Sequence, residues 1–294
     1  MAGKVIAVAN SKGGVGKTTT TVSIAEAFAA VGLKTLVLDL DFQANASLLV
    51  MGDQGDEKLY RLISKRSTLA DYLEQNLLGG DPTPLSKVIL KGASDVTHKG
   101  HPLALDLGAA TSGLRIIERE MIYTFTDQGF AMRAIEGKVR NLFKSDLDRV
   151  RKDYDIIVVD CPPGISAMTE AVLTTSDLIV VPTIPDFLST LGVDLFCGDI
   201  IKSLRKHGLK HNPVVLATKF DASPNQTIVL KAMIENSEAE NAAFSMFETI
   251  VPNRPEFAID PFMIGPSPTL AQKWSGDALS TINTLYLELK EMLQ

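Results

Sequence analysis

Residues 10–19 read NSKGGVGKTT and combine three glycines, two lysines and two threonines within one short turn. Gly13, Gly14 and Gly16 let the backbone pass close to an anion and adopt dihedrals that other residues resist, so successive N–H groups can point inward at phosphate oxygens. The apolar run 5–9 (VIAVA) precedes this turn and a segment of helical spacing follows it, the order of a strand, a loop and a helix N-terminus. Unpaired N–H groups at that N-terminus add field favouring negative charge. In such a turn Lys17 reaches the β- and γ-phosphate oxygens and Thr18 offers its hydroxyl to Mg²⁺. The candidate nucleotide cradle is therefore Ser11, Lys12, Gly13, Gly14, Val15, Gly16, Lys17, Thr18 and Thr19.

The strict phosphate-loop pattern asks for glycine five positions before Gly16, where Ser11 stands, and a second lysine, Lys12, sits beside it. With that departure KGGVGKTT resembles the deviant Walker A motif of the ParA/MinD family of P-loop ATPases, and the ParA-type partitioning proteins most closely. The resemblance implies that Lys12 crosses a dimer interface to the partner's nucleotide. The bland alternative is a glycine-rich turn that binds nothing, with Lys12 merely exposed, and the agreement of motif and context counts against it. Residues 39–47 (DLDFQANAS) follow a strand, which places Asp39, Asp41 and Gln43 on the same rim as the loop. They resemble the ParA signature DxDPQ(G/A)N with Phe42 in place of proline, which implies that Asp41 lies in switch I, tied to Mg²⁺ and the attacking water. Without that context paired aspartates after a strand serve as helix caps. Residues 155–164 (DIIVVDCPPG) run through four apolar positions into Asp160, resembling a Walker B strand, and Gly164 is placed to bring its N–H to the γ-phosphate as part of switch II. Cys161 reads as a small packing residue rather than a nucleophile. The resemblance thus implies ATP and Mg²⁺ as cofactors, Lys12, Lys17 and Asp41 as the catalytic set, and Thr18, Asp41 and Asp160 as metal ligands.

The elements that must position these groups alternate. A helix is expected over 18–31 with Gly32 as its C-terminal stop, then a strand over 34–39, giving a right-handed βαβ unit. Further strands are expected over 103–107, 155–160, 177–183, 213–221 and 246–251. Helices are expected over 69–78, 112–121, 132–154 and 188–207, and a closing helix over 275–294 with Leu279, Ile282, Leu285, Leu289 and Met292 on one face. Residues 51–102 shift toward charge, glycine and proline and read as an insertion on the rim of one domain spanning 1–294. The fold class is α/β, a mostly parallel β-sheet flanked by helices, and the resemblance implies the P-loop NTPase fold of the SIMIBI class. In VPNRPEF, the turn resembling the family's adenine-bordering segment, Pro252 and Asn253 are the expected base contacts.

The chain has 294 residues, 45% of them hydrophobic, and a net charge of −6, so any contact with nucleic acid must be a local patch. Lys202, Arg205, Lys206 and Lys210 form the densest positive cluster. They serve either as cations at a helix C-terminus or, as the resemblance implies, as contacts to DNA phosphates. Lys219 replaces a methionine of the family pattern and Ser223 stands where an arginine linked to DNA binding is common, which counts against DNA. Two cysteines without a C-x-x-C pair fit a reducing compartment. No leader and no apolar run long enough to span a bilayer is visible, so a cytoplasmic protein without stable membrane insertion is expected, associated with the nucleoid as the resemblance implies. The family resemblance further implies an ATP-dependent homodimer and a small basic activating partner such as a ParB-like protein. A MinD-like spatial regulator and a metabolic ligase related to dethiobiotin synthetase are the alternatives.

Overall fold

The computed structural model describes residues 3–209, 211–258 and 265–294. Its strands are β1 (Lys4–Val8), β2 (Thr35–Asp39), β3 (Ile89–Leu90), β4 (Thr97–His98), β5 (His101–Pro102), β6 (Leu105–Gly108), β7 (Ile156–Asp160), β8 (Leu178–Thr183), β9 (Val214–Ala217) and β10 (Ser245–Met246). The helices are α1 (Lys17–Ala30), α2 (Asn45–Met51), α3 (Gly55–Ser64), α4 (Leu69–Leu77), α5 (Gly113–Asp127), α6 (Met132–Val150), α7 (Ala167–Thr175), α8 (Phe187–Leu195), α9 (Pro224–Ser237), α10 (Leu270–Lys273) and α11 (Asp277–Met292).

Eight strands form one sheet in the order β10-β9-β8-β1-β7-β2-β6-β3, parallel throughout except for β3, and β4 pairs with β5 as a separate hairpin. The central strands are short runs of Val, Ile and Leu buried on both faces, the composition of a parallel sheet covered by helices on each side. Alternate residues of each strand feed two cores. Val5, Ala7, Leu36, Leu38, Ile157 and Val159 pack under α4 to α8, while Ile6, Val8, Val37 and Val158 pack under α1, α2 and α11. Helix α1 is buried around almost its whole circumference, which is why its sequence shows only a weak helical stripe.

The βαβ unit β1-α1-β2 is present, but its strands are not neighbours: β7 lies between them, with Val8 opposite Asp160 and Asp39 opposite Asp160. This arrangement gathers the carboxyl ends of β1, β2 and β7 at one point of the rim, where functional groups of such sheets collect.

Several expectations are corrected. Residues 51–102 contain α3 as well as the expected α4, and their apolar side chains Leu62, Leu69, Tyr72, Leu85 and Val96 fill the two main cores. The strand expected over 246–251 shrinks to Ser245–Met246, because only those two residues pair, with Val214 and Val215. The helix expected over 188–207 loosens after Leu195 into a wider π-turn over Phe196–Ile201 and a tight turn over Leu204–His207. On α11, Ile282, Leu285 and Leu289 are buried, but Met292 is exposed and Leu293 takes its place. No described helix is long and apolar enough to cross a membrane.

A buried polar cluster ties the C-terminal part to α1. Glu26, fully buried, accepts hydrogen bonds from Lys273 Nζ and Trp274 Nε1, both at 2.6 Å, and Lys273 also donates to the Leu49 carbonyl at 2.7 Å. Burial pushes the Glu26 carboxyl above its usual range, against the pull of Lys273 and Trp274.

Candidate functional site

The loop between β1 and α1 is fixed from below and open above. Asn10, buried, donates through Nδ2 to Pro182 O at 2.8 Å and accepts the Lys12 N–H at 3.0 Å, so the turn springs from a pinned residue. Gly14 at φ 74° and Gly16 at φ 90° occupy left-handed backbone, and a Cβ placed on Gly13 or Gly14 would meet nothing within 4 Å. Conformation, not space, is what demands glycine at position 14. Val15 lies buried beneath the loop, while Ser11 is exposed at its entrance.

Lys17 begins α1, is 7% exposed, and donates to Lys12 O at 2.8 Å, the position from which its ammonium faces the loop interior. Burial holds its pKa down, and the carboxylates of Asp160 and Asp41 oppose that shift. Thr18 donates to Asp160 Oδ2 at 2.9 Å and Thr21 donates to Asp160 Oδ1 at 3.1 Å. Asp39, across the strand pair from Asp160, accepts from Asp41 N at 3.1 Å and from Ser47 N and Oγ at 2.8 and 2.7 Å. Burial raises both carboxyls; the charge of Asp39 pushes Asp160 further up, and that of Asp41 adds to both. Two buried carboxyls side by side, next to a threonine hydroxyl and the more open Asp41, make a cluster of hard oxygen donors whose negative charge is matched only in part by Lys17. Thr18, Asp160 and Asp41 therefore fit Mg²⁺, a cation that takes oxygen ligands. Cys161 is buried, and its thiol is pushed well above the ordinary range by that burial and by Asp160, so it is inert.

Above the loop lies a cleft of about 540 Å³ lined by Gly13, Gly14, Gly16, Lys17, Thr18 and Thr19 on one side. Asp41, Gln43 and Pro163 reach it from the segments that follow β2 and β7, and Pro252, Asn253 and Phe257 from the turn after β10. This is the size range of small-molecule sites. Gly164, at φ 94°, follows the lining residue Pro163 but does not itself line the cleft.

One expected group sits otherwise than expected. Lys12 is not a free surface lysine: its Nζ donates to Ser189 Oγ at 2.6 Å and lies 3.6 Å from Asp186 Oδ1. Asp186 caps α8 by accepting Ser189 N at 2.7 Å, so the anchor that holds Lys12 is itself rigid. Lys202, Arg205 and Lys206 are exposed at the end of the α8 segment, away from the nucleotide cleft. Lys202 and Arg205 border a smaller cavity of about 370 Å³ that also holds Glu240. Lys210 lies outside the described residues. The sequence reading missed Asn10 as the loop's anchor and Lys219 as a cleft residue. For Lys219 a signal was present, since it stands two residues beyond a parallel strand's carboxyl end.

The family model described as AAA domain matches residues 3–215, more than half of the chain, and the protein belongs to that family. Its sequence is 28% identical over 227 residues to the sporulation initiation inhibitor protein Soj of Bacillus subtilis, covering 76% of this chain and 75% of Soj. In fold it is similar to a plasmid partition protein of Borrelia burgdorferi bound to AMPPNP, with a TM-score of 0.66, 20% identity, and coverage of 99% and 100% of the two chains. A cobyrinic acid a,c-diamide synthase of Mycobacterium smegmatis with bound ADP and magnesium is similar at a TM-score of 0.63 and 23% identity, covering 88% of this chain and 89% of that one. The fold is thus shared with these nucleotide-bound structures, and the sequence belongs to the AAA-domain family.

Proposed function

We propose that this protein is an ATP-hydrolysing switch of the ParA type whose triphosphate-bound form pairs with a second copy to position DNA or a large protein cargo. One observation carries the reading: Lys17, the Thr18–Asp160 pair and Asp41 converge on a single cleft beside a loop that carries a second lysine. The reading takes 1–294 as one functional unit with 51–102 as an insertion. The loop amides and Lys17 would hold the phosphates, and Asp160 would keep the Thr18 hydroxyl oriented. Thr18, Asp41 and Asp160 would hold Mg²⁺, which would supply neutralisation of the phosphate charge. Asp41, on the open side, orients the water whose oxygen attacks the γ-phosphorus; the bond to the β–γ bridging oxygen breaks and ADP and phosphate leave. Among the described residues no stronger general base than Asp41 lines the cleft, which fits slow turnover raised by a small basic activating partner.

Lys12 gives the switch its second state. To reach another subunit's phosphates it must leave Ser189 and Asp186, and a γ-phosphate offers it a stronger anionic partner than a carboxylate that is 41% exposed in its side chain. Loss of that phosphate on hydrolysis returns the advantage to the contacts within one chain.

Asp41→Ala is expected to lower phosphate release about 10²–10⁴-fold, the range for losing a positioned proton-handling group, while ATP-dependent pairing persists. Wild-type phosphate release in that variant would contradict its role. The proposed DNA surface is the exposed group Lys202, Arg205 and Lys206, and it would act over the nucleoid in the cytoplasm. Changing all three to Glu is expected to flatten the slope of log affinity against log salt by about 3 for duplex DNA. If the unaltered protein with ATP never shifts DNA in a gel, the cargo is not held through this surface.

A further inference from the structure

The segment after β2 has two sides. Asp41 lines the nucleotide cleft, but its chain neighbours Leu40 and Phe42 line a separate cavity of about 740 Å³ with Leu114, Arg115, Pro162 and Ile165. Pro163 borders both. In the second cavity the Arg115 guanidinium lies over the Phe42 ring, 5.1 Å from its centroid, within the range of a cation–π contact. Among the described residues the Arg115 side chain has no ion pair and no hydrogen bond, so the ring is what holds it.

Both ends of this contact are rooted. Leu40 N donates to Asp160 O at 2.9 Å, and Ala44 N donates to Asp41 O at 2.9 Å, which closes a turn over 41–44. Ala44 holds φ 56°, left-handed backbone for a residue with a Cβ, a strained conformation that the surroundings must impose. On the other side Ser47 Oγ donates to Asp39 Oδ2 at 2.7 Å and accepts Ala110 N at 3.0 Å, which fixes the start of α5 against the start of α2. Helix α4 seats the same end of α5. Leu69 N donates to Ala109 O at 3.0 Å, and a Cβ on Gly113 would stand 3.0 Å from the Ala70 Cβ, so close approach demands glycine there. Residues 51–102 thus buttress the helix that carries Arg115.

We infer that Arg115 is a positioning residue for hydrolysis: by holding the Phe42 ring it fixes the turn in which Asp41 faces the nucleotide cleft. A proline at position 42, as in the signature that this stretch resembles, would fix its own φ through its ring. Phenylalanine leaves that dihedral free and needs an outside hold, which the Arg115 stack provides. Misplacing a reacting group by about 1 Å can cost on the order of a hundredfold in rate, so a latch on the residue next to Asp41 is felt in turnover although it touches no phosphate.

This inference rests on Asp41 orienting the attacking water. Phosphate release and ATP affinity, measured together in the unaltered chain, Phe42→Leu, Phe42→Tyr, Arg115→Met and the double variant Phe42→Leu with Arg115→Met, test it. Leucine keeps apolar bulk without a ring face, tyrosine keeps the face, and methionine keeps an apolar stem without the charge. Phe42→Leu and Arg115→Met should each lower kcat about threefold to tenfold at unchanged ATP affinity. Phe42→Tyr should match the unaltered chain, and the double variant should be no slower than the slower single one. A kcat unmoved in both single variants, losses that multiply in the double variant, or a Phe42→Tyr chain as slow as Phe42→Leu overturns the latch alone. An unaltered chain that binds ATP and releases no phosphate overturns the hydrolytic reading, and the latch with it.

Discussion

Lys17→Ala is expected to abolish measurable nucleotide binding while the chain still folds. The ammonium is nearly buried, and it faces the interior of a loop whose other donors are backbone amides. Each charge-assisted hydrogen bond it makes to a phosphate oxygen is worth about 1.5–3 kcal/mol, so two of them correspond to about 10²–10⁴-fold in affinity. Removal also leaves Asp160 and Asp41 without the cation nearest to them, which adds repulsion toward an incoming polyphosphate. Titration with a fluorescent ATP analogue reads the change directly, with circular dichroism to confirm folding. An unchanged affinity would contradict the assignment of residues 10–19 as a phosphate cradle.

The second large effect concerns stability. Lys273→Met is expected to destabilise the protein by about 3–5 kcal/mol at neutral pH, because it strips the partner from a fully buried carboxylate. Against a typical total of about 5–15 kcal/mol this is a severe loss. The pH dependence has a definite sign. A carboxyl whose pKa is raised in the folded state holds its proton there at pH values where the unfolded chain has released it, so stability falls as pH rises above the ordinary value of 4.5. Without Lys273 the rise is greater, so the deficit of the variant should be largest near neutrality and shrink toward pH 4.5. Replacing both partners, Glu26→Leu with Lys273→Met, should recover most of the loss. Urea unfolding at two pH values measures it, and a deficit below about 1 kcal/mol at neutral pH, or one independent of pH, would show that the pair carries little.

What could be read from the sequence was whatever the chemistry forces to be contiguous. A phosphate cradle needs its glycines, lysine and threonine within one turn, and an aspartate at a strand's end needs only the apolar run before it. Both patterns survive without tertiary knowledge, and Asp160 indeed meets Thr18 although 142 positions separate them. The parts that could not be read depend on distant segments meeting. Nothing in β1 or β2 says that β7 will lie between them, because buried parallel strands are all alike in composition. The hold of Ser189 on Lys12 spans 177 positions, and the Lys273–Glu26 pair spans 247. The strand expected over 246–251 failed for a related reason: beyond Met246 the segment keeps only scattered backbone bonds to the β9 side, such as Phe247 N to Val215 O and Val251 N to Ala217 O, so hydrophobicity alone overextended it. Met292 continued a helical stripe on paper, but as the last residue of α11 it is exposed, and Leu293 just past the helix end is buried instead.

The most direct test is the mass in solution by light scattering, with and without ATP and Mg²⁺, for the unaltered chain and for Lys12→Ala. A doubling of mass that requires the triphosphate and disappears in Lys12→Ala is the expected result. A single-chain mass under saturating ATP and Mg²⁺, or a doubling indifferent to the loss of Lys12, would contradict a switch in which this lysine leaves Ser189 and Asp186 for another subunit's nucleotide.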